Sequence, residues 1–463
     1  MLKKVLIANR GEIALRVLRA CRDLEIPAVV AYSEADRDSL PVRLADEAVC
    51  IGPPPSARSY NNIPAIITAA RVTGADAIHP GYGFLAENAY LADVCAQLGL
   101  TFIGPSSAAI TKMGDKALAR QLMREAGLPL LPGSEEPLTN ARTAMQIGRR
   151  LGYPLILKAA AGGGGRGMRV VRSDRELAAQ LPVAQAEAEA AFGNGQVYLE
   201  KYLEHPRHVE VQLIGDGRGH VVAIGERECS LQRRHQKLLE EAPAPHLPAR
   251  TRQELFKAAV KGAQAIDYGS VGTMEFLLSR DGHFSFMEMN TRIQVEHPVT
   301  EETTGLDLVV WQLRLARGEP LTLSGKEIAP RGHAIECRIT AEDPARNFEP
   351  STGTVDAYAA PGGPGVRVDS HLFPGYVMPP YYDSLLAKLI VWGRDRAEAI
   401  ARAERALDEF IVTGLKTTIP FHQALLHDPY FRRGELSTSF IPQYLERIGE
   451  TADGRRQTAE GRR

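Results

Sequence analysis

The sequence predicts a mixed α/β and α+β protein built from a parallel-sheet N-terminal unit, a central unit with an inserted sheet-bearing lid, and a mixed C-terminal unit. Three observations predict this. Strand and helix patterns alternate from residue 4 onward; a glycine-rich stretch at 162–167 stands between two strand patterns; and Asp281-Gly282, a strong hairpin signal, separates two strand patterns that each carry a glutamate.

In chain order, residues 4–8 (Lys-Val-Leu-Ile-Ala) read as a buried strand, Ile13, Ala14, Val17, Leu18 and Cys21 recur at helical spacing, and residues 27–32 supply the next strand. Strand-helix-strand order implies a parallel sheet covered by helices, and further strands follow at 77–80 and 100–103. The first unit is expected to span 1–115. Residues 155–158 and 168–171 read as strands flanking the glycine loop, and 197–200 and 208–212 add more, which suggests a lid over about 131–203 inside a middle unit of 116–330. Strands at 334–339 and 385–391 and an amphipathic helix at 397–410, with Asp395 as its cap, make up a last unit of 331–446. Residues 447–463 are polar and aperiodic and read as a disordered tail.

The stretch 275–297 carries the most chemistry. If Asp281-Gly282 is a two-residue turn, Arg280 pairs with His283 and Glu275 falls directly opposite Glu288. Two like charges facing each other at 4 Å repel by about 4 kcal/mol at an effective dielectric of about 20, so a positive group is expected between them. Alternation along an extended chain puts Glu288, Asn290, Arg292, Gln294 and Glu296 on one face, and Met287, Met289, Ile293 and Val295 on the other. A solvated edge strand shows the same alternation, but this row collects oxygen ligands, amides and one guanidinium. Such oxygens suit Mg²⁺ or Mn²⁺ shared with substrate phosphates, with an anion site beyond.

Other motifs are weaker singly. Gly162, Gly164 and Gly167 match G-x-G-x-x-G, but a strand follows instead of a helix, and Met168-Arg169 stands where a Walker loop needs Lys and Ser or Thr. A mobile loop whose N–H groups fold over phosphates remains, and Lys158 at the preceding strand favours that over a plain surface loop. Lys116 opens an Ala/Leu-rich helix, where N–H groups and an ammonium together could bind phosphate; alone it reads as a surface lysine. The dense charge of 226–237 reads as a solvated face, His79-Pro-Gly-Tyr-Gly-Phe84 as a tight turn, and His208 as a surface histidine.

Composition excludes several classes. With 55 basic and 56 acidic residues in 463, the chain offers no field for nucleic acid or anionic membrane. Five scattered cysteines without a C-x-x-C pair argue against a disulfide framework or zinc site and fit a reducing compartment. The apolar run at 5–8 is too short for a signal peptide or membrane span, so a cytoplasmic protein is expected. Asn9-Arg-Gly-Glu12 lacks a dinucleotide fingerprint, which disfavours an NAD oxidoreductase.

Taken together and in this order, Ala8-Asn-Arg-Gly-Glu-Ile-Ala14, His79–Phe84, Lys158–Met168, Arg233-Arg-His-Gln-Lys237, Glu288–Glu296 and Glu336-Cys-Arg338 resemble the biotin carboxylase component of biotin-dependent carboxylases, in the ATP-grasp superfamily, over residues 2–446. The resemblance implies a pre-ATP-grasp N-terminal domain, an ATP-grasp central domain and a biotin carboxylase C-terminal domain. It implies ATP between lid and middle unit, its phosphates met by Lys116, Lys158, His208 and the loop of Gly162, Gly163, Gly164 and Gly165, its adenine near Glu200, Lys201, Leu203, Gln232, His235 and Leu277. Glu275, Glu288 and Asn290 would hold Mg²⁺ or Mn²⁺. Bicarbonate would sit on Lys237, Arg292, Gln294 and the backbone of Val295, with Glu296 as base. Arg338 would stabilise the biotin enolate, and Tyr82 and Asp383 would shape the biotin pocket.

No Met-Lys-Met biotinylation signature and no carboxyltransferase-sized extension follow, so biotin on a separate carrier protein, a separate carboxyltransferase and a homodimer are the partners implied. The final acceptor, whether acetyl-CoA, propionyl-CoA or pyruvate, is not written in this chain. Two alternatives stand beside this reading. An ATP-grasp ligase with an amine acceptor shares the central motifs, and an inactive nucleotide-binding scaffold would be marked by loss of a metal ligand or base.

Overall fold

The computed structural model describes residues 2–134, 136–159, 168–325 and 328–449. The glycine loop 162–165 and residues 450–463 of the expected tail lie outside the described residues, whereas 447–449, expected in that tail, continue a helix. The N-terminal unit is a five-stranded parallel sheet of Val5–Ile7, Ala28–Ser33, Glu47–Gly52, Ala77–His79 and Thr101–Phe102. Val5–Ile7 lies between Ala28–Ser33 and Ala77–His79, so the order reverses there and leaves a crevice at the strands' carboxyl ends. Both loops at that crevice are tied together: Asn9 Nδ2 donates to the carbonyls of Pro80 (2.7 Å) and Tyr82 (2.8 Å). Helix Gly11–Asp23 is buried over most of its length, because it is sandwiched between this sheet and the helix Leu308–Ala316 of the central unit.

The centre of the molecule is an eight-stranded sheet in the order Phe284–Asn290, Gly269–Leu278, Arg207–Asp216, Val221–Arg233, Gln236–Ala242, His333–Thr340, Leu385–Gly393, Val366–Ser370, antiparallel throughout. It runs unbroken across residue 331, since Gln236–Ala242 pairs with His333–Thr340. Side chains alternate between its faces. One face buries Val209, Val211, Met274 and Phe276 against helix Ala249–Gln264, and Ile335, Cys337 and Leu389 against helix Arg396–Glu409. Asp395 caps the latter helix as predicted, accepting from the Glu398 N–H at 2.9 Å. The opposite face carries the charges described below.

The lid sheet is three-stranded, with Leu155–Ala159 between Arg169–Val171 and Val197–Lys201, covered by helices Ala141–Leu151 and Asp174–Phe192. The strand expected at 208–212, beyond the expected lid bounds of 131–203, belongs to the large sheet.

The hairpin turn differs from expectation. Ser279 N–H donates to His283 O at 2.8 Å, so the loop holds three residues, Arg280, Asp281 and Gly282, with Gly282 at φ 86°. This is the three-residue hairpin whose last position needs the left-handed region. It shifts the register by one, and a bulge at Met287 shifts it back: Phe276 pairs with Phe286, while Glu275 pairs with Glu288. The glutamates do face each other, through two compensating departures. Met287, expected on the core face, is therefore 39% exposed. The strand also ends at Asn290 and helix His297–Thr304 begins after Glu296, so the row 288–296 is not one extended strand.

Candidate active site

Strand register builds the site. Glu288, Glu275, Glu210 and Arg227 are direct partners across four neighbouring strands. Arg227 is fully buried; its Nε donates to Glu210 at 2.6 Å and its two terminal nitrogens donate to Gln212, Thr300, Thr273 and Gln294. A guanidinium offers five N–H groups, and here every nitrogen has an acceptor. Desolvation is thereby offset, which is the condition for burying a charge.

Lys237 is the hub. Its ammonium donates to Glu210 (2.6 Å), Glu296 (2.5 Å) and Glu275 (3.2 Å). Burial works against its charge, but Cys229 and the three carboxylates outweigh it and hold the lysine well above its usual range. Glu296 is its counterpart. Burial alone would raise this carboxyl; Lys237, Arg338 and Arg227 instead keep it well below the ordinary carboxylate range. Arg338 donates to Glu296 at 2.9 Å and, through Nε, to Glu240 at 2.6 Å.

Glu275 also accepts from Asn290 (2.8 Å) and Gln294 (2.9 Å), and His208 Nε2 lies 2.9 Å from its other oxygen. Its partner Glu288 has no ion pair within 4.0 Å among the described residues, and burial, then the nearby Glu275, push its carboxyl up. A divalent cation between the two would relieve that repulsion, and the donors are all oxygens, so the residues fit Mg²⁺ or Mn²⁺. Arg292 points away from a continuous row: it donates to Glu87 (2.9 Å), to Asn290 Oδ1 (2.9 Å) and to the Ile293 carbonyl (3.2 Å). Val295 is half-buried, and its carbonyl accepts from Lys388 at 3.0 Å.

Across the cleft, the lid brings cations toward the acid pair. Lys158 and Arg120 both donate to the buried Glu200. Lys116 opens helix Lys116–Glu125; burial lowers it, while Glu288 and Glu200 raise it and Lys158 opposes them. The free N–H groups expected beside it are partly taken, because Asp115 accepts from Ala117 (2.9 Å) and Leu118 (3.0 Å). Lys201 donates to the carbonyls of Gly152 and Tyr153. Leu277 stands opposite His208, and Gln232 opposite Lys237. Leu203 is half-buried. His235, exposed at a left-handed turn, is lowered by desolvation, then by Lys158 and His208. Tyr82 donates its hydroxyl to Glu12, and the exposed Asp383 accepts from the Leu385 N–H at 2.8 Å.

Comparison with known proteins decides the family. Residues 1–110 match "Biotin carboxylase, N-terminal domain", 115–324 "Carbamoyl-phosphate synthase L chain, ATP binding domain" and 336–443 "Biotin carboxylase C-terminal domain". The chain is 57% identical over 440 residues to a biotin carboxylase of Nostoc sp., covering 95% of this chain and 98% of that one. The chain belongs to the biotin carboxylase family. A crystal structure of a Campylobacter jejuni biotin carboxylase–beta-gamma-ATP complex superposes with a TM-score of 0.93 at 49% identity, over 96% of this chain and 99% of that one. The biotin carboxylase domain of Hydrogenobacter thermophilus 2-oxoglutarate carboxylase, a dimer with MgADP, ADP and bicarbonate, gives 0.92 at 48%, over 96% and 98%. As a biotin carboxylase, this chain performs ATP-dependent carboxylation of biotin with bicarbonate, the first half-reaction of biotin-dependent carboxylases. The flanking matches, not the shared ATP-binding one, separate it from an amine-acceptor ligase.

Sequence reasoning missed three residues that organise this biotin carboxylase site. Glu210 and Arg227 are wholly buried, and Glu87 anchors both Arg292 and the Thr291 N–H (2.9 Å). The charged stretch 226–237 is a solvated face only in part: residues 226–231 are buried within the large sheet, while 234–236 are exposed. His208, read singly as a surface residue, is buried too. Glu210 was findable: its alternation with His208 and Gln212 is the same polar row that flagged 288–296.

Proposed function

We propose that this chain carboxylates biotin carried on a separate protein, with Mg²⁺ or Mn²⁺ held by Glu275, Glu288 and Asn290. The cation supplies charge neutralisation between nucleotide phosphates and these carboxylates. Lys116, Lys158, His208 and the Gly162–Gly165 loop bind the phosphates. Glu200, Lys201, Leu203, Gln232, His235 and Leu277 surround the adenine. Lys237, Arg292, Gln294 and the backbone of Val295 orient bicarbonate for attack on the γ-phosphate, Arg292 gripping its planar oxygens.

The single observation that carries this reading is Lys237, which joins Glu275 at 3.2 Å to Glu296 at 2.5 Å. One ammonium links the carboxylate at the nucleotide to the carboxylate meant to take bicarbonate's proton. An anion entering beside Lys237 draws that ammonium off Glu296, which raises the carboxylate's basicity when the substrate is present. Once protonated, Glu296 no longer holds Arg338, and the freed guanidinium edge stabilises the ureido oxygen of biotin. Tyr82 and Asp383 line that end of the site. Attack of bicarbonate on the γ-phosphate breaks its bond to ADP, which leaves, and gives carboxyphosphate; this yields CO₂ and phosphate, and phosphate takes the ureido proton as the N–CO₂ bond forms.

All five cysteines are unpaired, which supports a reducing, cytoplasmic setting, and no described helix is long and apolar enough to cross a membrane. A homodimer follows the likeness to the dimeric 2-oxoglutarate carboxylase domain. The test is ADP release with Mg²⁺ and bicarbonate, with and without free biotin. Bicarbonate-dependent ADP that rises with biotin, together with carboxybiotin, is expected; ADP without carboxybiotin overturns the assigned acceptor site.

A further inference from the structure

Two buried carboxyl groups of the large sheet have no part in the reading above. Glu240 and Glu336 are direct partners on neighbouring strands and both are fully buried. Glu240 Oε2 and both oxygens of Glu336 have no hydrogen-bond partner among the described residues. Burying acids this way is costly, and apolar residues of similar volume would pack the space without that cost. The one satisfied oxygen, Glu240 Oε1, serves a single residue: it accepts from Arg338 Nε at 2.6 Å and lies 2.5 Å from a terminal nitrogen. Arg338 is also fixed at its main chain, where its carbonyl accepts from Thr418 Oγ1 (3.0 Å) and faces His422 Nε2 at 2.9 Å. Its remaining charged contact is Glu296.

We infer that Glu240 is a positioning residue for Arg338, holding the Nε edge of the guanidinium so that the edge released by Glu296 meets the ureido oxygen of biotin already oriented. The inference rests on the assignment of Arg338 to that oxygen. The surroundings support it. Glu240 is faced by Arg338, Glu296, Lys237 and Glu336. Lys388 stands across from Arg338, but its ammonium is engaged by Glu12 (3.1 Å) and the Val295 carbonyl (3.0 Å). Burial raises the carboxyl of Glu336 well above the carboxylate range, and the one hydrogen-bonded oxygen of Glu240 is directed at Arg338. Glu240 itself is pushed up to about 7 by burial, against the pull of Arg338.

The test is a double-mutant cycle on the full chain, reading carboxybiotin formation from free biotin beside the KM values of ATP and bicarbonate. Glu240→Gln is expected to lower the biotin-dependent kcat about 10²-fold, the loss a misplaced reacting group brings, with the KM of ATP and of bicarbonate held within about twofold. Added to Arg338→Gln, it is expected to cause no further loss, because it acts only through that side chain. Glu240→Asp, which keeps the charge, recovers part of the rate and decides the matter if the glutamine variant melts early. Full rate in Glu240→Gln, or an equal further loss on the Arg338→Gln background, overturns the inference. Full biotin-dependent rate in Arg338→Gln overturns the assignment of Arg338, and this inference with it.

Discussion

In the lid, Leu155, Leu157, Val171, Leu177, Val197 and Leu199 close an apolar core, and ion pairs such as Arg172–Glu204 sit outside it, 59% and 54% exposed. In the large sheet, Arg227 and Glu210 pair at 0% exposure, and Lys237, Glu275, Glu296 and Arg338 extend that network across the charged face. The strands are the same kind of object, with alternating side chains and paired backbones, yet charge decorates one sheet and is the interior of the other. Apart from the buried Glu200, which Lys158 and Arg120 hold, the lid's ion pairs lie toward solvent; in the large sheet each charge depends on its neighbour, so stability and chemistry are coupled.

Four substitutions can break or sharpen this contrast. The largest effect is expected at the proposed base: Glu296→Ala should keep ATP binding while bicarbonate-dependent ADP release falls about 10²- to 10⁴-fold, the span of general-base contributions. Steady-state ADP release beside nucleotide binding reads this, and wild-type turnover would sink the base assignment. Next is Arg227→Met, which strands Glu210 without its buried partner and should destabilise the chain by about 3–5 kcal/mol. Denaturant titration reads it; a loss of under about 1 kcal/mol would show that water reaches this face and that the contrast with the lid is false.

A smaller, pH-dependent effect is expected at Glu241. Burial would raise this carboxyl, but Arg396 and His333 hold it at about 2. A depressed folded-state value means the ionised form stabilises the fold above the unfolded value, roughly 4.3, and that this contribution disappears as pH falls toward 2. Glu241→Gln should therefore be less stable at neutral pH and lose less on acidification. Unfolding free energies measured from neutral to acid pH test this, and parallel curves for the two proteins would refute it. The smallest effect is expected in the lid, where Arg172→Ala should leave the melting midpoint unchanged within error, since exposed pairs contribute little and are screened by salt.

The hairpin shows how far local pattern reaches. Asp281-Gly282 is enough to bring two strands together, because a left-handed glycine at the turn is a local requirement, and hydrophobic alternation identifies the strands on either side. The one-residue register shift at the turn and its reversal at Met287 lie beyond that pattern, because a bulge depends on which side chains the neighbouring strand Arg207–Asp216 can bury. The same holds for the proposed base. Glu296 is conspicuous in the sequence, but its companions Glu210 and Arg227 are not, since a charged residue in an isolated strand looks solvated.

Chain order and local spacing settle the strand-helix alternation of the N-terminal unit, the lid between 155 and 201, and a glutamate on each strand of the hairpin, but not the register that pairs Glu275 with Glu288. Tertiary structure settles the rest. Only pairing of Gln236–Ala242 with His333–Thr340 carries Arg338 to Glu296, across a sequence separation of 42 residues. Only the assembled sheet, with helix His297–Thr304 packed against it, excludes water from the face where these charges meet. Local sequence specifies backbone conformation through φ/ψ preference and periodicity; the environment of a charge is set by everything packed around it, and that is a property of the folded chain.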